Sequence, residues 1–242
     1  MKKKVSIIIP SYNEAKYLPI LLKKINSVNL SKIEFKKEIL VVNDGSTDDT
    51  DLVLKKFNNV IKIKQKNKGK GNAVQAGIKK STGDYILIQD ADLEYSPKDY
   101  TKLLKPFMNK KKIAVYGTRY KGYGKFSYNF SNYKRQNFGP FIFNFILSLY
   151  FFLLFRIFIS DLLTGYKVYE KSFFRKMYIN SSGFEADHEL TINLIKKKYK
   201  IIEVPIKYFP RTISEGKKIN FTDAIKAIFI ITKMKFFDQK LK

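Results

Sequence analysis

The sequence predicts an α/β fold, a mainly parallel sheet with helices on both faces. Three observations predict it. Strand-length apolar runs alternate with helically spaced apolar residues through the first half of the chain. The first run, Val5–Ile9 (VSIII), is continuous and β-branched, as in a strand covered on both faces. Short polar motifs follow the strands, at the carboxyl ends where open α/β sheets bind ligands.

The elements follow in order. Tyr17, Leu18, Leu21, Leu22 and Ile25 carry helical spacing within Glu14–Val28. Glu38–Val42 (EILVV) is a second buried strand. A helix is expected over Asp49–Phe57, with Thr47 or Asp48 as N-cap. Strands at Val60–Ile63, Tyr85–Ile88 and Ile113–Tyr116 alternate with helices at Asn72–Lys80 and Pro97–Met108. The second half is less regular. It holds a loop rich in Gly, Tyr and Lys (120–133), the very apolar Phe138–Ile159, and a strand at Thr164–Tyr169. A helix over Phe184–Lys197, a strand at Ile201–Val204 and a last helix over Asn220–Phe237 complete it.

The totals exclude some chemistry. Without cysteine there is neither a disulfide framework nor a thiolate metal site. One histidine, His188, leaves no His-rich metal centre and is read as structural. The 242 residues carry a formal net charge of +26, with 47 Lys+Arg against 21 Asp+Glu. Such a balance reflects either a compositional bias toward lysine or attraction to something anionic. A nucleic-acid groove would interleave its cations with stacking aromatics, whereas lysine here is spread along the chain, so no nucleic-acid partner is expected. The basic start, Met1–Lys4, precedes too short an apolar run for a signal peptide.

Three motifs converge on one rim of the predicted sheet: Pro10-Ser-Tyr-Asn-Glu14, Asn43-Asp44-Gly45 and Asp90-Ala-Asp92. Asp90, Asp92 and Glu94 alternate, so an extended backbone points them one way. Hard divalent cations take such oxygen ligands and bridge them to a diphosphate. The plainer reading is a solvated acidic loop. Asp44 ends its strand, Gly45 permits a turn, and Asp44 is read as an acceptor for a base or ribose. Lys70 and Gly71 open a helix whose N–H groups can hold phosphate, without Walker A spacing.

PSYNE, VVNDGSTDDT, NKGKGNAVQAG, TGDYILIQDADLEY and GTRY, in that order, resemble the nucleotide-sugar domain of family 2 inverting glycosyltransferases, which have the Rossmann-like GT-A fold. Asp161–Tyr169, Gly183–Tyr208 and Pro210–Ile219 resemble the branch with dolichyl-phosphate mannose synthase and dolichyl-phosphate glucosyltransferase. The resemblance implies a nucleotide-sugar half (1–120), an acceptor half (121–219) and a basic amphipathic helix (220–242). It implies that Pro10, Tyr12 and Glu14 line the base and ribose pocket, and that Asp44 meets the base. Asp90 and Asp92 would hold Mg2+ or Mn2+ on the diphosphate of a UDP- or GDP-hexose. Glu94 stands where relatives often carry Gln and would be either a third ligand or simply an acid at the loop's exit. Arg119, Arg135, Arg211, Lys217 and Lys218 would meet the acceptor phosphate. Of the acids Glu185, Asp187 and Glu189, Asp187 is favoured as a base should the acceptor be a hydroxyl.

Phe138–Ile159 is read as an interfacial helix rather than a span. Its uninterrupted part, Phe141–Phe155, rises about 22 Å against a hydrocarbon core of about 30 Å. A span there would also put Asp187 and Arg211 across the bilayer from Asp44 and Asp90. The implied partners are a nucleotide diphosphate sugar, a polyprenyl phosphate and a membrane surface. The implied location is cytoplasmic, on the inner face of the plasma membrane.

Overall fold

The structure, a computed structural model, describes residues 2–120, 138–211 and 221–237. Seven strands form one sheet in the order β3-β2-β1-β4-β6-β5-β7. They are β1 Lys3–Ser11, β2 Phe35–Asp44, β3 Ile61–Gln65, β4 Tyr85–Ile88, β5 Ile113–Thr118, β6 Lys167–Glu170 and β7 Lys200–Pro205. The helices are α1 Leu18–Ser27, α2 Thr50–Lys55, α3 Lys70–Lys80, α4 Tyr100–Leu104, α5 Phe138–Phe155, α6 Ala186–Lys196 and α7 Phe221–Phe236.

Alternation along β1 divides the core. Val5, Ile7 and Ile9 face a cluster that takes in Leu18, Leu21, Leu22 and Ile25 of α1, Leu54 of α2 and Tyr100 of α4. Ile8 faces the other side, with Ala73 of α3. Leu18, Leu21, Leu22 and Ile25 of α1 are fully buried, each stabilising the fold by about 1.5–3 kcal/mol, while Ile20 stays exposed. Leu147 and Phe151 of α5, Leu190 of α6 and Ile231 of α7 cover the second half of the sheet.

Two features depart from the sequence expectations. The single helix expected over Pro97–Met108 is broken into a 3-10 turn, the short α4 and a second 3-10 turn. Pro106 removes a helical N–H and crowds the preceding turn. Neither Thr47 nor Asp48 is the cap residue of α2; Asp49 is, without a side-chain bond. Asp48 instead accepts the Ala15 and Thr50 N–H groups at 3.0 Å each, tying the loop after β2 to the loop after β1.

The strand that positions the site is β6. It runs antiparallel between β4 and β5, with Lys167 opposite both Ile88 and Tyr116. Among the described residues the other strand-to-strand pairings of the sheet are parallel. Because β6 runs backwards, its start lies on the rim where its neighbours end. The polar residues of α5 prepare that approach. Asn144 donates to the Ser160 carbonyl at 2.8 Å and accepts the Leu163 N–H at 3.2 Å, fixing the loop before β6.

Candidate active site

A cleft of about 690 Å3 opens along this rim. Pro10, Tyr12, Glu14, Asp44, Lys70, Asp90, Asp92, Glu94, Arg119, Asp187 and Arg211 all line it. Gly71 does not. Its N–H donates to the Ser182 carbonyl at 2.7 Å, and a Cβ there would collide with the Ser181 carbonyl. It serves close packing rather than phosphate binding. Arg135, Lys217 and Lys218 lie outside the described residues.

The acids after β1 and at the end of β2 are tied to the chain around them. Asp44 is buried and accepts the Lys68 N–H at 2.9 Å, the Gly69 N–H at 2.8 Å and the Gln65 amide at 2.6 Å. It therefore shapes the loop into α3, with Gly69 at φ 89°. Glu14, also buried, lies 3.5 Å from the Arg211 guanidinium.

The acids after β4 share two cations. Lys70 Nζ lies 2.8 Å from Asp90 and 3.5 Å from Asp187. Arg211 lies 3.3 Å from Asp92. Burial works against the Lys70 ammonium, but Asp90 and Asp187 outweigh it and hold its pKa above the usual lysine value. Burial, then the charges of Asp90 and Glu94, push the Asp92 carboxyl up to about 7 against the pull of Arg211. Such crowded oxygens suit a hard divalent cation that takes its remaining ligands from a diphosphate and water. The expected set of three metal-holding acids is not formed: the described residues contain no such group of three. Glu94 is engaged elsewhere, with Oε2 accepting the Tyr208 hydroxyl at 3.0 Å and Oε1 the Arg211 N–H at 2.8 Å.

The other side of the cleft holds buried cations, each beside a carboxylate. Arg119 donates through Nε and Nη2 to Asp161 at 2.8 and 2.7 Å, a two-pronged pair with Asp161 fully buried. Glu203 of β7 orients that loop, accepting the Ser160 and Asp161 N–H groups at 2.9 and 3.2 Å. Lys167 is fully buried, 3.4 Å from Asp187 and 4.8 Å from the centre of the Tyr116 ring. Of the three acids near α6, only Asp187 faces the cleft. Glu189 accepts from the Asn180 and Ser181 backbone, and Glu185 from Gly183.

Asp161, Glu203, Gly165 and Lys167 were not singled out from the sequence. A Cβ on Gly165 would collide with Asp90 Oδ2. Lys167 carried one signal, a lysine inside an otherwise apolar strand.

The strand order, with one strand reversed beside the acid-bearing β4, is that of the GT-A fold. Comparison with solved structures agrees on the fold. Mannosyl-3-phosphoglycerate synthase from Rubrobacter xylanophilus superposes with a TM-score of 0.75 at 17% identity, over 99% of this chain and 76% of that one. Glucosyl-3-phosphoglycerate synthase from Mycobacterium tuberculosis, in complex with Mn2+, UDP-glucose and phosphoglyceric acid, gives 0.71 at 15%, over 96% and 79%.

The chain belongs to glycosyl transferase family 2, whose sequence profile matches residues 6–178. It is 28% identical to the UDP-N-acetylglucosamine–dolichyl-phosphate N-acetylglucosaminyltransferase of Methanococcus voltae, over 96% of each chain. It is 32% identical to the dolichol-phosphate mannosyltransferase of Pyrococcus furiosus, over 88% of this chain and 59% of that protein.

Proposed function

We propose that this glycosyltransferase moves a hexose unit from a UDP- or GDP-sugar to a polyprenyl phosphate, with inversion. The observation that carries the reading is the setting of Asp187. Burial pushes its carboxyl up, but Lys167 and Lys70 pull it further down, so it stays ionised and below the usual aspartate value. A carboxylate between two ammonium groups at 3.4 and 3.5 Å is a poor proton acceptor. A hydroxyl acceptor needs a base, whereas a phosphate monoester arrives as an anion. The relatives named above for dolichyl phosphate support the same acceptor class.

The residues divide the work. Pro10, Tyr12, Glu14 and Asp44 seat the nucleoside. Asp90 and Asp92 would hold Mg2+ or Mn2+, which when bound neutralises the departing diphosphate. Lys70 stays charged beside Asp90 and supports the same charge. Arg119 and Arg211 draw the acceptor phosphate toward the anomeric carbon, and Asp187 keeps Lys70 and Lys167 in place. Enclosure by Tyr95, Tyr208 and Phe184 limits competing hydrolysis.

The acceptor would be met at a membrane surface. Phe145, Ile146, Leu149 and Leu153 are exposed on α5, as are Ile225, Ile228 and Phe229 on α7. The two helices meet through Tyr150 and Thr232, at 2.6 Å. Gly139 and Pro140 of α5 and Asp223 and Ala224 of α7 line the cleft, so the apolar face adjoins its mouth. Among the described residues no helix is long and apolar enough to cross a membrane. On this reading attachment is peripheral, on the inner face of the plasma membrane, and the lysines of the last helix, Lys226, Lys233 and Lys235, support it.

The test uses purified protein, Mg2+ or Mn2+, labelled UDP- and GDP-sugars, and undecaprenyl or dolichyl phosphate. Label in the lipid supports the reading. Label only in free sugar or in an added glycan would overturn it.

A further inference from the structure

Glu94 is bound to a second stretch of chain at three points. Its two carboxylate oxygens take the Tyr208 hydroxyl and the Arg211 N–H. Its carbonyl accepts the Phe209 N–H at 2.9 Å, and the neighbouring Tyr95 forms an antiparallel bridge with Tyr208. The segment so fastened delivers the Arg211 guanidinium to Asp92 and Glu14.

We propose that Glu94 is a positioning residue, a clasp that sets Arg211 against Asp92, and not a ligand of the divalent cation. Turning the carboxylate toward a cation would leave the Arg211 N–H and the buried Tyr208 hydroxyl without this acceptor. Losing either bond loosens the segment that carries Arg211. A glutamate suits the clasp because it accepts from both donors at once. In the clasped arrangement Arg211 serves as fixed positive charge beside Asp92, and its orientation depends on residue 94. The consequence for turnover rests on the transferase reading above; the clasp itself does not.

Two variants separate clasp from ligand. Glu94→Gln and Glu94→Ala lose the same charge. Gln keeps an acceptor for the Arg211 N–H and offers its amide N–H to the Tyr208 oxygen; Ala keeps neither. Mn2+ binding, read by electron paramagnetic resonance with UDP or GDP present, should stay within about twofold of the parent in both, or 0.4 kcal/mol. Trypsin cleavage after Arg211 should be about tenfold faster in Glu94→Ala and near the parent rate in Glu94→Gln, as local opening loses its two bonds. Tyr208→Phe should speed cleavage less and leave Mn2+ binding unchanged. In the transfer assay Glu94→Ala should raise the acceptor KM and spare the donor KM, with Glu94→Gln restoring it.

Mn2+ binding about tenfold weaker in either variant than in the parent would make residue 94 a ligand and overturn the clasp. So would unchanged cleavage after Arg211 in Glu94→Ala. If no nucleotide sugar supports transfer, the transferase reading fails, and the binding and cleavage measurements still decide the clasp.

Discussion

The two sides of the cleft use charge in opposite ways. On the donor side, carboxylates stand at strand ends, and Asp44 spends its oxygens on backbone N–H groups and Gln65. On the acceptor side, cations are buried and carboxylates hold them: Asp161 for Arg119, Asp187 for Lys167. The difference explains where a chain of net charge +26 uses its 21 acids. A lysine in water needs no partner. A cation stripped of water does, or burial becomes prohibitive.

Asp161→Asn should break the acceptor side most severely. It leaves the buried Arg119 guanidinium against a neutral amide, and removing one partner of a buried pair costs about 3–5 kcal/mol. Urea denaturation, read as a midpoint shift at constant slope, measures it. A loss below about 1 kcal/mol would mean that Arg119 is effectively solvated, and the contrast would fail.

Gly165→Ala should act at the seam between the sides. The added methyl meets Asp90 Oδ2 and lies 3.3 Å from Lys70 Nζ. Asp90 and Lys70 must shift together, so the expected result is a fall in kcat/KM of about 100-fold, or 2.7 kcal/mol. The residue is buried but lines the cleft, and the added methyl meets side-chain ends rather than backbone, so the urea midpoint should move little. Near-normal transfer would show that the Asp90–Lys70 arrangement tolerates displacement.

The donor side was legible in the sequence because its signals are local. Asp44, Asp90 and Glu14 follow apolar runs that end in polar motifs, and parallel strands put successive ends on one rim. The fold class was legible for the same reason. The acceptor side depends on β6, whose direction no local pattern encodes. Reversal puts Gly165 and Lys167 on the rim, and with them the partner of Asp187. The Asp161–Arg119 pair spans 42 residues, and Asp161 is itself oriented by Glu203, 42 residues further on. Such pairs have no spacing rule. The contacts of Glu94 are hidden from the sequence for a related reason. Its alternation with Asp90 and Asp92 is local and visible, while Tyr208 and Arg211 come from beyond β7.

His188 offers the finest test of the contrast, because it shows what the acceptor side does to a group with a choice of charge. Its imidazole is buried beside Asp187 on α6. Burial, followed by the Lys167 ammonium, pushes its pKa down to about 3 although Asp187 opposes this. The folded protein thus keeps His188 neutral where the unfolded chain protonates it, near pH 6.5. Between these values the unfolded state binds the extra proton, so acidification from pH 6.5 toward 3 favours unfolding. At pH 5 the loss attributable to His188 is about 2 kcal/mol, and above pH 7 it vanishes. His188→Gln has no such proton to bind. Urea midpoints at pH 7.5 and 5.0 should therefore fall further for the parent than for the variant, by that amount. Equal falls would mean that His188 accepts its proton in the folded state. Asp187 would then have charge to spare for a third cation beside Lys70 and Lys167, and the limit on cations buried around it would not be strict.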